Sequence, residues 1–104
     1  MTVSVILPTF NVERWIPDQL AALADQICAC EWELVIADNG STDDTRIIAL
    51  GFERRFARFK LVDASGARGP AHARNQGVRS SSGEFLLFTD ADDIVRQGWI
   101  AKLI

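Results

Sequence analysis

Four short apolar runs punctuate the chain: Val3–Pro8, Trp32–Asp38, Phe59–Asp63 and Glu84–Asp90. Most are apolar at consecutive positions rather than alternate ones, the pattern of parallel strands covered on both faces. The segments between them carry helical spacing. Ile16, Leu20, Leu23 and Ile27 form one stripe, with Pro17 in the first turn, where its missing N–H breaks no helical hydrogen bond. Ile48, Phe52 and Phe56 lie four apart, although Gly51 weakens that second helix by about 1 kcal/mol. A third helix is predicted from Pro70 to about Ser80, with Ala73 and Gly77 small enough to let it lie close on the sheet. A fourth begins near Gly98 and is expected to be cut off at Ile104.

Strand and helix therefore alternate, which predicts an α/β fold: a Rossmann-like open parallel sheet flanked by helices, with right-handed crossovers. No internal repeat, linker or low-complexity tract interrupts it, and Ser80-Ser81-Ser82-Gly83 reads as a turn before the fourth strand. In such sheets ligands bind beyond the carboxyl ends of the strands. The polar residues gather there. The first strand ends in Pro8-Thr9-Phe10-Asn11 and the second in Asp38-Asn39-Gly40-Ser41-Thr42-Asp43-Asp44. The third leads into Gly66-Ala67-Arg68-Gly69, and the fourth into Asp90-Ala91-Asp92-Asp93.

Composition narrows the classes. At 104 residues the chain is one domain with one core, and 48% hydrophobic with 24% charged residues is globular rather than disordered. A net charge of −3 argues against a nucleic-acid partner. No apolar stretch approaches the ~20 residues of a membrane span. A Pro and strand-like sequence within the first ten residues argue against a signal peptide. Cys28 and Cys30 are too close in sequence to pair readily, and two thiols alone make no zinc site. They are expected as separate thiols in a reducing, cytoplasmic setting.

The strand ends offer specific chemistry. Extended backbone would put Asp90 and Asp92 on the same side, as two hard oxygen ligands suited to Mg²⁺ or Mn²⁺ beside a substrate's phosphates. The competing reading is a helix cap by Asp92 or Asp93. At the second strand end Ser41 and Asp44 resemble a capping box, while Asp38 or Asn39 facing the rim could bond a base or ribose. Arg68 and Arg74 add positive charge where the third loop enters its helix, whose free amides favour anions. His72, the single histidine, is expected to be a surface or packing residue.

These segments together resemble the N-terminal, nucleotide-binding part of a family 2 glycosyltransferase with the GT-A fold. The matching pieces are Val3–Asn11, Asp38–Thr45, Ala73-Arg74-Asn75-Gln76-Gly77 and Phe88–Asp93, in the family's order and spacing across nearly the whole chain. The resemblance implies a strand order of 3-2-1-4 and a nucleoside-diphosphate-sugar donor. Pro8, Thr9 and Phe10 would line the base pocket, Asp38 and Asn39 would contact base or ribose, and Arg74 would lie near the nucleotide. Asp90 would approach the ribose or sugar, and Asp92 would hold a divalent metal ion, Mn²⁺ or Mg²⁺, against the diphosphate. Many relatives carry aspartate where this chain has Asn39, which leaves the base open. The implied reaction is metal-dependent sugar transfer to an acceptor hydroxyl, with inversion at the anomeric carbon, in polysaccharide or glycan biosynthesis.

The resemblance covers a truncated GT-A fold. The acceptor part is expected to be absent and the general base to lie beyond residue 104, so no catalytic residue is assigned and the chain is expected to bind nucleotide without transfer. The alternative is a non-catalytic nucleotide-binding or assembly module of the same fold. A nucleotidyltransferase would want a glycine- and lysine-rich loop after the first strand, which Pro8-Thr9-Phe10-Asn11 is not. Strand 84–90 would present an open apolar edge, so self-association through it is expected. The full-length protein is expected at the inner face of the membrane, although no membrane segment lies in this chain.

Overall fold

The computed structural model describes residues 2–104. Its elements alternate as the hydrophobic pattern requires: β1 Thr2–Thr9, α1 Ile16–Ala24, β2 Glu31–Asp38, α2 Thr45–Gly51, β3 Phe59–Asp63, α3 Pro70–Ser80, β4 Phe85–Phe88 and α4 Trp99–Leu103. The strands form one parallel sheet in the order β3-β2-β1-β4. β1 lies inside, with Ile6 opposite Val35 of β2 and Phe88 of β4.

The central strands are apolar at successive positions because both faces are covered. Val5, Leu7, Leu34 and Ile36 pack with Ile16, Leu20 and Leu23 of α1, Ala49 of α2 and Ile100 of α4. Each such large side chain contributes roughly 1.5–3 kcal/mol by leaving water. The opposite face carries α3, which packs on β1, β2 and β3. A Cβ on Gly77 would stand 2.6 Å from Ile6 Cγ2 and 3.5 Å from Ala37 Cβ, so only glycine lets the helix come this near.

The structure departs from the pattern at four places. α1 stops at Ala24, where Asp25 and Gln26 N–H close the turn on Ala21 and Leu23 carbonyls. Ile27 therefore leaves the apolar stripe and is 78% exposed, while Gln26 takes a buried position. α2 ends at Gly51 and gives way to a 3₁₀ turn at Glu53–Arg55, so Phe56 reaches the core from outside the helix. There it packs edge-on against Trp32, ring centroids 5.8 Å apart. Cys28 and Cys30, expected as separate thiols, are joined in a disulfide. The bend after α1 brings their Cα atoms to 5.2 Å, within the range a bridge spans.

The fourth departure concerns β4. It runs only from Phe85 to Phe88 and is not enclosed like β1 and β2. It pairs on one side, and Phe85 and Phe88 are 49% and 47% exposed. No helix among the described residues is long and apolar enough to cross a membrane.

Candidate functional site

The carboxyl ends of the strands enclose a cleft of about 500 Å³. Pro8, Thr9 and Phe10 enter it from the end of β1, with Val12 and Trp15 from the loop before α1. Asn39 faces it from the end of β2; Arg68, Gly69, Pro70 and Ala73 from the entry to α3; and Asp90, Ala91 and Asp92 from beyond β4. The lining thus combines aromatic and apolar side chains with an asparagine, an arginine and two carboxylates.

Asp38 stands behind this wall, 1% exposed. Its Oδ1 accepts the Thr9 hydroxyl at 2.7 Å and the Ser41 hydroxyl at 2.6 Å, and its Oδ2 accepts the Ser41 N–H at 2.9 Å. A buried carboxylate needs such donors. Here they come from the last residue of β1 and from the loop after β2, so Asp38 holds the ends of the two strands together.

Asn39 is equally engaged. Its Nδ2 donates to the carbonyls of Ala64 and Ala67, both at 2.8 Å, and its Oδ1 accepts the Gly69 N–H at 3.0 Å. Both amide protons and one acceptor site therefore pin the loop that leads into α3. What the side chain still offers a base is the second lone pair of Oδ1, so it can accept one more hydrogen bond but has no proton left to donate.

A second set of bonds locks the loop after β1. Asn11 has φ +50°, a left-handed conformation that asparagine tolerates better than most residues. Its Oδ1 accepts the Thr42 N–H at 2.7 Å, and its own N–H donates to Ser41 Oγ at 2.9 Å. The Ser41–Asp44 capping box is not formed, because Ser41 is bound to Asp38 and α2 starts only at Thr45. Asp43 accepts the Thr45 N–H at 2.9 Å instead. Burial acts to raise the Asp43 pKa, but the hydrogen bonds from Thr45 and Glu13 outweigh it and hold the carboxyl below its usual value.

The acidic cluster has a different backbone from the extended one expected. β4 ends at Phe88, and residues 90–93 form a turn in which the Asp93 N–H donates to the Asp90 carbonyl at 3.3 Å. Asp90 and Asp92 share the cleft wall through this turn, and Asp93 is not on that wall. No group of three or more His, Cys, Asp or Glu side chains among the described residues is arranged to hold a metal by itself.

The structure therefore brings Pro8, Thr9, Phe10, Asn39, Asp90 and Asp92 to one cleft, keeps Asp38 behind it and leaves Arg74 off its wall. Arg68 occupies the wall instead. Two contributors had gone unread. Trp15 lines the cleft while 41% exposed, with the Arg14 guanidinium 5.6 Å from its ring. An exposed tryptophan beside a strand-end loop was the available signal. Gln19 is fully buried and bonded to the acidic turn. Its signal was a polar residue on the inward face of an apolar helix.

Comparison with known proteins agrees with this architecture. The profile of Glycosyl transferase family 2 matches residues 4–104. UDP-Glc:alpha-D-GlcNAc-diphosphoundecaprenol beta-1,3-glucosyltransferase WfgD of Escherichia coli is 39% identical over 100 residues, covering 96% of this chain and 37% of that protein. The crystal structure of S. aureus TarS 1-349 in complex with UDP superposes with a TM-score of 0.89 at 33% identity, covering 99% of this chain and 31% of that one. Mannosyltransferase PcManGT from Pyrobaculum calidifontis, in complex with GDP-Man and Mn²⁺, gives a TM-score of 0.77 at 33% identity over 86% of this chain and 27% of that one. The chain thus spans about a third of the length of these relatives. The sheet and its flanking helices are those of the GT-A glycosyltransferases, and the chain belongs to glycosyl transferase family 2.

Proposed function

We propose that this chain forms the donor-binding part of a glycosyltransferase, taking a nucleoside-diphosphate sugar into the cleft at the carboxyl ends of its strands. The observation that carries the reading is that one cleft combines apolar residues, Pro8, Phe10 and Trp15, with charged ones, Arg68, Asp90 and Asp92. A nucleoside diphosphate likewise combines a flat base with a dianionic bridge. In this reading the base lies against Phe10 and Trp15, with the Thr9, Asp38 and Asn39 network holding the pocket's shape. Arg68, rather than Arg74, attracts the diphosphate.

The donor set fits a divalent cation of the Mn²⁺ or Mg²⁺ type. Asp90 and Asp92 offer hard oxygens, and two carboxylates on the cleft wall suit an ion completed by phosphate oxygens and water. Asp92 would hold it and Asp90 would lie nearer the sugar. Bound there, the ion supplies positive charge against the diphosphate as the sugar–phosphate bond breaks. The transfer we propose is attack of an acceptor hydroxyl on the anomeric carbon with inversion. We assign no general base within this chain, since Asp93, the nearest spare carboxylate, is off the cleft wall. The isolated chain is accordingly proposed to bind nucleotide without transferring sugar.

Calorimetric titration with UDP, GDP and dTDP, each with and without Mn²⁺, tests this. At least one nucleotide should bind more tightly with Mn²⁺, and Asp92→Ala should lose that gain. An Asp92→Ala chain that keeps the full Mn²⁺ effect removes the metal assignment, and no binding of any of the three removes the donor site. We further propose that the free edge of β4, with Phe85 and Phe88 half-exposed, pairs with a second copy of the chain. Sedimentation at rising concentration should show a dimer; a monomer throughout rules the pairing out.

A further inference from the structure

Between β4 and α4 the chain runs through residues 89–98 without strand or helix, yet this stretch presents Asp90 and Asp92 to the cleft. One buried side chain reaches across most of it. Gln19, on α1 and 0% exposed, directs its Nε2 at Thr89 Oγ1 (3.0 Å), the Asp90 carbonyl (2.7 Å) and the Asp93 carbonyl (3.0 Å). Its Oε1 accepts the Val95 N–H at 3.0 Å. The orientation of the amide is fixed by this set, because the opposite one would aim its oxygen at the Asp90 and Asp93 carbonyls and its NH₂ at an N–H. Two amide protons serve three acceptors, so the Asp90 carbonyl takes the shortest bond and the other two divide what remains.

We propose that Gln19 is a positioning residue for the donor site. It fixes the Asp90–Asp93 turn to α1, and so sets Asp90 and Asp92 relative to the segment that leads into α1, where Phe10 and Trp15 line the same cleft. The proposal rests on the donor-binding reading above. It concerns the turn's placement and gives Gln19 no contact with the ligand, since Gln19 is not on the cleft wall.

The molecule contains its own control. Gln26, seven residues further on, is also buried, and it binds the next part of the same stretch: its Nε2 donates to the Arg96 carbonyl at 2.8 Å, and its Oε1 accepts the Ile100 N–H at 3.1 Å. Losing either glutamine removes a buried amide from α1. Only Gln19 touches the acidic turn.

The test is calorimetric titration of UDP, with and without Mn²⁺, on the parent chain, Gln19→Met and Gln26→Met. Proton NMR of the backbone amides follows, with Mn²⁺ alone as a paramagnetic probe. Gln19→Met is expected to lose about tenfold of the Mn²⁺-dependent gain in UDP affinity, the scale of a buried hydrogen-bond set left unmade. Broadening by Mn²⁺ should no longer centre on Asp90–Asp92. Gln26→Met should keep both signatures, even if it melts at a lower temperature. An unchanged Mn²⁺ gain in Gln19→Met, or equal losses in the two variants, overturns the proposal. If the parent chain binds no UDP, the donor reading falls by itself, and a broadening pattern by Mn²⁺ that survives Gln19→Met is what overturns the role of Gln19. Absence of broadening in the parent counts against both. Should Gln19→Met not fold, Thr89→Val removes a single acceptor from the same amide. A roughly threefold smaller Mn²⁺ gain supports the proposal, and no change overturns it.

Discussion

Two buried carboxylates sit five residues apart on β2, Glu33 toward one end of the sheet and Asp38 at the other, and they do different work. Glu33 is 3% exposed and closes the amino end. Its oxygens accept the Ser4 hydroxyl, the Ser82 N–H at 2.6 Å, the Ser82 hydroxyl at 3.0 Å and the Lys60 ammonium at 3.1 Å. Lys60 also donates to the Ser80 carbonyl at 2.7 Å, so the end of α3 and the turn into β4 are fastened to the sheet around one ion pair. Asp38 is as deeply buried, but hydroxyls and an N–H satisfy it, and among the described residues no ion pair involves it. Its bonds fasten loops that form a cleft. The same functional group thus secures the fold at one end and shapes a binding wall at the other. The difference lies in whether the groups it binds enclose space.

The largest effects should therefore come from the amino end and leave nucleotide affinity alone. Glu33→Ala strands the Ser82 N–H and the Ser4 hydroxyl and removes the partner of Lys60. A loss of about 3–4 kcal/mol of stability is expected by urea unfolding. Burial alone would raise the Glu33 pKa. The bonds from Ser4, Ser82 and Lys60 instead lower it from 4.5 to about 2. A carboxyl lowered in the folded state stabilises the fold above its unfolded pKa, and that contribution drains away as pH falls from about 4.5 through about 2. The amount is ~3 kcal/mol. Urea midpoints measured from pH 6 to pH 2 should show this slope in the parent chain and lack it in Glu33→Gln; an equal slope in both would place the acid sensitivity elsewhere.

Next in size is Gly83→Ala, in the same turn. Its Cβ would stand 2.6 Å from the Ser4 N and Oγ and 2.8 Å from the Val3 carbonyl carbon. Backbone cannot yield as a flexible side chain does, so about 2–3 kcal/mol of destabilisation is expected from the thermal melt. At the other end, Asp38→Asn retains one acceptor but sets an NH₂ against the donors now satisfied by the second oxygen. About 1–2 kcal/mol of stability should go, accompanied by roughly tenfold weaker UDP binding. Asp38→Asn with unaltered UDP affinity would break the comparison, because the carboxyl end would then be only another fastening.

The hydrophobic pattern revealed the sheet and α3 because a parallel sheet covered on both faces leaves little ambiguity: β3 and α3 begin and end where the pattern put them. It misjudged α1 because Ile27 continued the helical spacing, while the chain turned away at Asp25 and buried Gln26. The strand ends showed which polar residues share a rim, and could not show which way each one faces. Asp38 ends β2 and Asn39 follows it, yet one lies behind the wall and the other in it with its amide already engaged. Arg68 and Arg74 have the same charge; only the path of the loop before α3, which has no period to read, decides that Arg68 faces the cleft. Gln19 was hidden for the opposite reason: helical spacing put it on the inner face, where its chemistry reads as an exception to the pattern.

Gly40→Ala is the smallest change and the most direct check on what the carboxyl end is for. Gly40 has φ +84°, a left-handed conformation that strains an L side chain by roughly 1–2 kcal/mol. Its added Cβ would come 3.3 Å from the Ser65 Cβ, so Ser65 must give by a few tenths of an ångström. Unlike the backbone around Gly83, Ser65 is exposed and can give. It lies between Ala64 and Ala67, whose carbonyls Asn39 holds, and a push there travels along the loop to Arg68 and Gly69 in the cleft wall. The expected result is about 1 kcal/mol of lost stability with a roughly threefold drop in UDP affinity. The ratio of the two effects is the informative quantity. Gly83→Ala should be the more destabilising and leave affinity unchanged at temperatures where the chain stays folded, while Gly40→Ala should be the milder and still weaken binding. Reversal of that order would mean that the loops around Asp38 are scaffold in the same sense as the turn around Glu33.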